Sequence, residues 1–193
     1  MTGAEIEPPR TGVKRLSNGV IGMLLLVFIQ VMLYGGLISA HVVFISEQVG
    51  EIWPPLDQPR LPFVETAVGT AALLASGITL AVGHFRFRVT PRASLVPLTV
   101  AILLGGFFVI FQSVVWVGLV REGLTIRSST YGAFFHLIVG THMINAVAAL
   151  ACLAWAWSLL RRGALGVSQF RIVQIFWYFV VLVWPAIYYQ VYQ

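Results

Sequence analysis

The sequence predicts an all-α membrane protein: five transmembrane helices in one bundle, with the N-terminus cytoplasmic and the C-terminus outside. Three observations carry that expectation. Of 193 residues 59% are hydrophobic and only 10% are charged, against about 25% charged in a soluble domain. The apolar residues run continuously rather than alternating as barrel strands do, and each run reaches the roughly 20 residues that span a bilayer. Lysine and arginine, finally, are divided unevenly between the two sets of loops, which is the usual determinant of orientation. The net charge of +5 does not mark a nucleic-acid binder, because the basic residues sit in short separate loops and not on one patch. The single cysteine, Cys152, lies in an apolar span and excludes a disulfide framework or a thiolate metal site.

Residues 1–15 are polar, with Pro8, Pro9 and Gly12, and are expected to be a disordered cytoplasmic segment. Residues 16–193 form the five-helix domain. The first span is expected over Leu16–Phe44, too long for the apolar part of a cleavable signal. Within it Gly35, Gly36, Ser39 and Ala40 offer small-residue pairs for close helix approach, and Gln30 is expected to hydrogen-bond another helix. A loop follows with Trp53, the Pro54-Pro55 pair and three acids, Glu47, Glu51 and Asp57. The second span is expected over Pro62–Gly83. Pro62 suits a first turn, and Glu65 sits where the helix dipole favours a carboxylate. Ala67, Ala71 and Ala75, widened by Ala72 and Ser76, form a candidate packing stripe. His84–Ala93 is expected to be a short basic loop, and Pro97–Val120 the third span, with Gln112 its one strongly polar side chain in the outer half. Ser128, Ser129 and Thr130 are candidate N-caps for a fourth span over Tyr131–Trp157. A loop containing Arg161, Arg162 and Arg171 leads to the fifth, over Val173–Tyr189.

With the N-terminus inside, the inner segments hold Arg10, Lys14, Arg15, Arg86, Arg88, Arg92, Arg161, Arg162 and Arg171. The outer ones hold Arg60, Arg121 and Arg127, a division of nine to three. Trp53, Trp116, Trp155 and Trp157 fall near the expected interfaces, as aromatic belts do. No repeat relates the last spans to the first, so an inverted-repeat transporter lacks support.

The fourth span carries the most informative polar residues. It contains no formal charge, yet His136, His142 and Asn145 lie in it, about 8, 17 and 21 Å along the axis from Tyr131 at 1.5 Å per residue. His142 and Asn145 share a face, and His136 points elsewhere. Unpaired polar groups at such depth cost several kcal/mol (roughly), so His142 and Asn145 are expected to face other helices. The alternative is a cofactor or proton site. His41 and His84 lie on opposite sides and cannot share a metal across about 30 Å of hydrocarbon. His41 and His136 lie at similar depth and offer a possible bis-histidine haem. With Glu65 they also offer an outer polar cluster. No nucleophile with a base and no phosphate loop is visible, and the span interiors hold no Asp, Lys or Arg, which argues against an ion pump within this chain alone.

Two stretches go further. Thr130–Ala146, TYGAFFHLIVGTHMINA, and Phe176–Trp184, FWYFVVLVW, resemble the paired-histidine and last-helix motifs of subunit III of haem–copper oxidases. Leu73–Gly77, LLASG, after the WPP at Trp53–Pro55, fits the same family. The five-span count resembles its shorter bacterial version, which lacks the first two of seven helices. There are departures. Asn145 stands for the second motif histidine, Met143 for a glycine, and Tyr178 and Val181 for the last-helix histidine and aspartate. The carboxylate expected near the start of span two aligns with Val64, with Glu65 one position on, and a glutamate common near Gln112 is missing.

The resemblance implies a non-catalytic subunit of a respiratory haem–copper terminal oxidase in a bacterial inner membrane. Such a subunit packs on subunit I, with subunit II in the complex, and supports sustained oxygen reduction and proton uptake. It implies no cofactor in this chain, with haem and copper in the partner subunits, and bound phospholipid. Arg86, Arg88, Arg92, Arg161 and Arg162 are the candidate lipid-phosphate ligands. His142, Asn145, Glu65, His136 and Tyr178 are the candidate interhelical polar residues. The alternatives are a membrane cytochrome b with its own haem, a nitric oxide reductase subunit, and a small transporter or assembly factor.

Overall fold

The computed structural model describes residues 17–47, Pro59 and 63–192, with side chains in the last stretch described from Thr66 to Val191. Five long helices cover nearly all of them: α1 (Asn18–Glu47), α2 (Phe63–Val89), α3 (Leu95–Arg121), α4 (Thr130–Arg161) and α5 (Val167–Tyr192). All five are long and apolar enough to cross a membrane, and no strand occurs among the described residues. The 1–15 segment and the Trp53–Pro55 motif lie outside the described residues.

Each helix overshoots its apolar run. At 26 to 32 residues they measure roughly 39–48 Å at 1.5 Å per residue, more than the ~30 Å hydrocarbon core. The loop expected over His84–Ala93 is therefore mostly helix. α2 continues to Val89, and Pro91 begins a single 3₁₀ turn, Pro91–Ser94, since the residue before a proline disfavours helix. Arg171, expected in a loop, lies inside α5. Hydropathy falls where a helix enters the headgroups, but its backbone hydrogen bonds do not end there.

The other helix ends have local causes. Of the three candidate caps, Ser129 is the one used: its Oγ accepts from Gly132 N at 3.0 Å. α3 and α4 both stop at a left-handed glycine, Gly123 (φ 101°) and Gly163 (φ 70°). In each case the residue after it donates back into the last turn, Leu124 N to Leu119 O and Ala164 N to Leu159 O, both at 2.9 Å. A side chain at either glycine would strain that conformation.

Helices α2, α3, α4 and α5 close a ring in which each packs on its sequence neighbour and α5 returns to α2. α1 lies outside the ring, against α5 and α4, and among the described residues makes no contact with α2. The interior is filled by α4 and α5 side chains, with Phe135, Ile138, Leu153, Trp177 and Trp184 fully buried. Of the stripe expected on α2, only Ser76 is fully on the packing face, with Ala72 and Ala75 half-buried. Ala67 and Ala71 are exposed, whereas Thr66, Gly69, Leu73, Ser76, Gly77 and Leu80 are buried. Small residues permit contact without requiring it, and here the hydroxyls, glycines and leucines carry it.

Candidate functional site

A polar cluster lies between α1 and α4. Asn145 is buried, donates through Nδ2 to Tyr34 Oη at 3.1 Å and accepts at Oδ1 from Gln30 Nε2 at 3.2 Å. Gln30 and Tyr34 are four apart on α1, so they present one face, and a single amide on α4 holds both. One turn earlier, His142 is fully buried inside an aromatic box. Its ring centroid lies 4.8 Å from Trp184, 6.1 Å from Phe108 and 6.5 Å from Tyr34. Neither His142 ring nitrogen has a hydrogen-bond partner among the described residues. The box joins four helices, because Tyr34 comes from α1, Phe108 from α3 and Trp184 from α5.

A second set of polar contacts ties α5 to α2. Trp177 and Trp184, both fully buried, donate their indole N–H groups to Ser76 Oγ at 3.1 Å and Thr70 Oγ1 at 2.8 Å. Ser76 Oγ in turn donates to Ala101 O on α3 at 2.8 Å, and Thr70 Oγ1 to Thr66 O at 2.9 Å. Trp177 lies so close to α3 that a Cβ on Gly105 would come within 2.5 Å of its ring. Reasoning from the sequence missed these pairs. The available signal was that a buried indole N–H requires an acceptor, and Thr70 and Ser76 on α2 supply one each. Val181 packs on Gly77, whose added Cβ would lie 3.0 Å from it.

Of the expected outer cluster of His41, Glu65 and His136, the two histidines are not brought together. His41 is buried against Phe134, ring centroids 5.3 Å apart. His136 donates from Nδ1 to Gly132 O at 2.8 Å and packs on Trp116 of α3 at 5.5 Å. Phe134 and His136 are two apart on α4, about 200° round at 100° per residue, so the two imidazoles sit on opposite sides of that helix. They therefore do not offer one haem an axial pair. The Glu65 side chain lies outside the described residues. Tyr178 is half-buried against the core, and the interhelical hydrogen bond expected of its hydroxyl is not formed among the described residues. The neighbouring Trp177 takes the inward position, and one residue turns the side chain by about 100°.

His136 lines a groove of about 730 Å³ between α3 and α4, walled by Trp116, Ile126, Gly140, Met143 and Ile144. At the far, basic end of the bundle, His84 Nδ1 donates to Gln174 Oε1 at 2.9 Å, and the Ser17 and Ser168 hydroxyls are hydrogen-bonded. Arg86, Arg88, Arg92, Arg161 and Arg162 are all exposed there. Among the described residues no three or more of His, Cys, Asp and Glu gather as a metal site would require.

The family model described as Cytochrome c oxidase subunit III matches residues 11–193. A probable cytochrome c oxidase subunit 3 of Nocardia farcinica is 29% identical over 185 residues, covering 89% of this chain and 86% of that protein. One from Mycobacterium tuberculosis is 28% identical with the same two shares, 89% and 86%. A cytochrome c oxidase subunit 3 of Pelomedusa subrufa is 28% identical, over 89% of this chain and 67% of its own length.

Proposed function

The chain belongs to the cytochrome c oxidase subunit III family, and on that premise we propose that it is a non-catalytic subunit of a respiratory haem–copper terminal oxidase. It packs on the subunit I that carries haem and copper, with subunit II in the same complex, and binds phospholipid at its lipid-facing grooves. We place its N-terminus on the cytoplasmic side, a reading supported by the nine-to-three division of basic residues, and its membrane as the bacterial plasma membrane, a reading supported by the bacterial subunit 3 relatives. The observation that carries the reading is the match along residues 11–193, which takes in all five helices.

The interior fits a scaffold role. Asn145 is tied to α1 and the two indoles to α2, while the His142 ring nitrogens have no partner among the described residues. His142, in the segment resembling the family motif, is walled in by three rings, which fixes the packing of four helices. Support of sustained oxygen reduction and of proton uptake then comes through the partner, by holding its surface and its lipids in place. Purification of the tagged chain in a mild detergent tests this. A haem-bearing partner is expected to co-purify in stoichiometric amount, and recovery of the chain free of such a partner would overturn the proposal.

A further inference from the structure

His136 belongs to neither polar network of the core. Its Nδ1–H is given to Gly132 O at 2.8 Å, and its ring stands edge-on to Trp116 and Phe135, with centroids 5.5 and 5.4 Å away. The imidazole is therefore fixed in place. A neutral ring that donates from Nδ1 keeps a lone pair on Nε2, and among the described residues no group donates to it.

The groove that His136 lines, of about 730 Å³, has Gly140 and Met143 as its floor, both buried. A Cβ on Gly140 would lie 2.8 Å from the benzo edge of Trp116, so only glycine lets that ring seat so deep. Ser113 and Thr141 also line the groove. Each has committed its hydroxyl proton to its own helix, Ser113 Oγ to Val109 O and Thr141 Oγ1 to Leu137 O, both at 2.7 Å. What they have left to offer is lone pairs. The Trp116 indole meets Gly140 with its benzo edge and not with its N–H. No lysine or arginine is among the described residues lining this groove; Arg121 lines the neighbouring one, of about 490 Å³, which shares Ser113 and Trp116 with it.

Acceptors without a cation do not hold a phosphate or a carboxylate, which are acceptors themselves. A bare hydrocarbon chain would leave the imidazole lone pair unmet. The groove calls for a donor at one end and apolar bulk along the rest. His136 lies roughly 9 Å from the start of a helix that overshoots a ~30 Å hydrocarbon core by roughly 9 Å at each end, which puts its ring at the hydrocarbon boundary. From there to Ala148 the groove runs roughly 18 Å along α4 at 1.5 Å per residue, past Ile144 and Val147.

The geometry points to a site for one neutral lipophilic alcohol on the α3–α4 seam, its hydroxyl donating to His136 Nε2 and its apolar body lying along Gly140 and Ile144 toward Ala148. The site rests on the chain being membrane-embedded and not on its being an oxidase subunit, so its test separates from that of the proposed function.

The chain is purified in mild detergent with whatever partners it retains and labelled with a diazirine-bearing hexadecanol, and the cross-linked peptides are mapped by mass spectrometry. Labelling is expected on the groove-lining stretches of α3 and α4. It is competed with hexadecanol, its methyl ether, hexadecyl phosphate and hexadecylammonium, which share a chain and differ in head. Hexadecanol is expected to displace the probe at a concentration roughly 5-fold below that of the ether, the worth of one hydrogen bond, with the phosphate and the ammonium weaker than the alcohol. His136→Phe keeps a ring of similar size without the acceptor, and is expected to bring alcohol and ether level while chain-driven labelling persists. Ala148→Trp fills the deep end and is expected to reduce labelling whatever the head. Equal displacement by alcohol and ether in the unaltered chain, a phosphate or ammonium head competing as well as the alcohol, or an alcohol preference that survives His136→Phe would each overturn the site. So would labelling that appears only after the partners are removed, because a partner's helix would then be the occupant. Whether haem co-purifies is read from the same sample and decides the family role independently.

Discussion

Helices α1 and α4 are alike in length and in lacking interior charge, but their surroundings differ. Of the most apolar window of α1 only 6% is buried, against 50% for α4, although α1 is the more apolar by sequence. In water that order would be reversed. In a bilayer apolar surface gains nothing by turning inward, because lipid is as good a neighbour as leucine. What draws a helix inside is the polar groups and tight contacts it must place. α4 carries His142 and Asn145 and is central. α1 carries Gln30 and Tyr34, which meet Asn145, and packs the rest of its contact face mainly on α5.

If that contrast is right, damage should scale with loss of packing and polar contact and not with loss of hydrophobicity. The largest effect is expected from Trp177→Ala, which empties the α2–α3–α5 junction. About 3–5 kcal/mol should be lost in a denaturant titration of the solubilised chain. Gly105→Val forces a side chain into the same ring, and about 1–3 kcal/mol should be lost by overpacking, with a lower melting temperature. Asn145→Leu removes two bonds to α1, each worth about 0.6 kcal/mol in a membrane protein. Spin-label distances between α1 and α4 should broaden while those between α2 and α3 stay sharp. Ile29→Ala, on the exposed face of α1, should change the stability of the solubilised chain by less than about 0.5 kcal/mol. An Ile29→Ala loss as large as that of Asn145→Leu would break the comparison.

The same contrast explains what could be read from the sequence. The five spans follow from composition and length, and they are present as five helices. The cost of polar groups at depth points His142 and Asn145 inward, and both are buried. Gln30, a lone amide in an apolar run, meets its partner on α4. Rotation and neighbour order were not legible. Ala67 and Ala71 of α2 turn outward because lipid accepts alanine as readily as a helix does. His41 and His136 share a depth but not a side of α4, and depth is all that spacing from a span end measures. The indole bonds of Trp177 and Trp184 depend on α5 lying beside α2, a pairing between helices far apart in sequence.

The central claim is that this chain contributes structure to an oxidase whose electrons pass elsewhere. A reduced-minus-oxidised spectrum, taken on the purified complex and again on the chain after its partners are removed, tests it most directly. The account predicts a haem band in the complex and none with the separated chain. A haem band that follows the chain, and is lost on His41→Ala or His136→Ala, would contradict it.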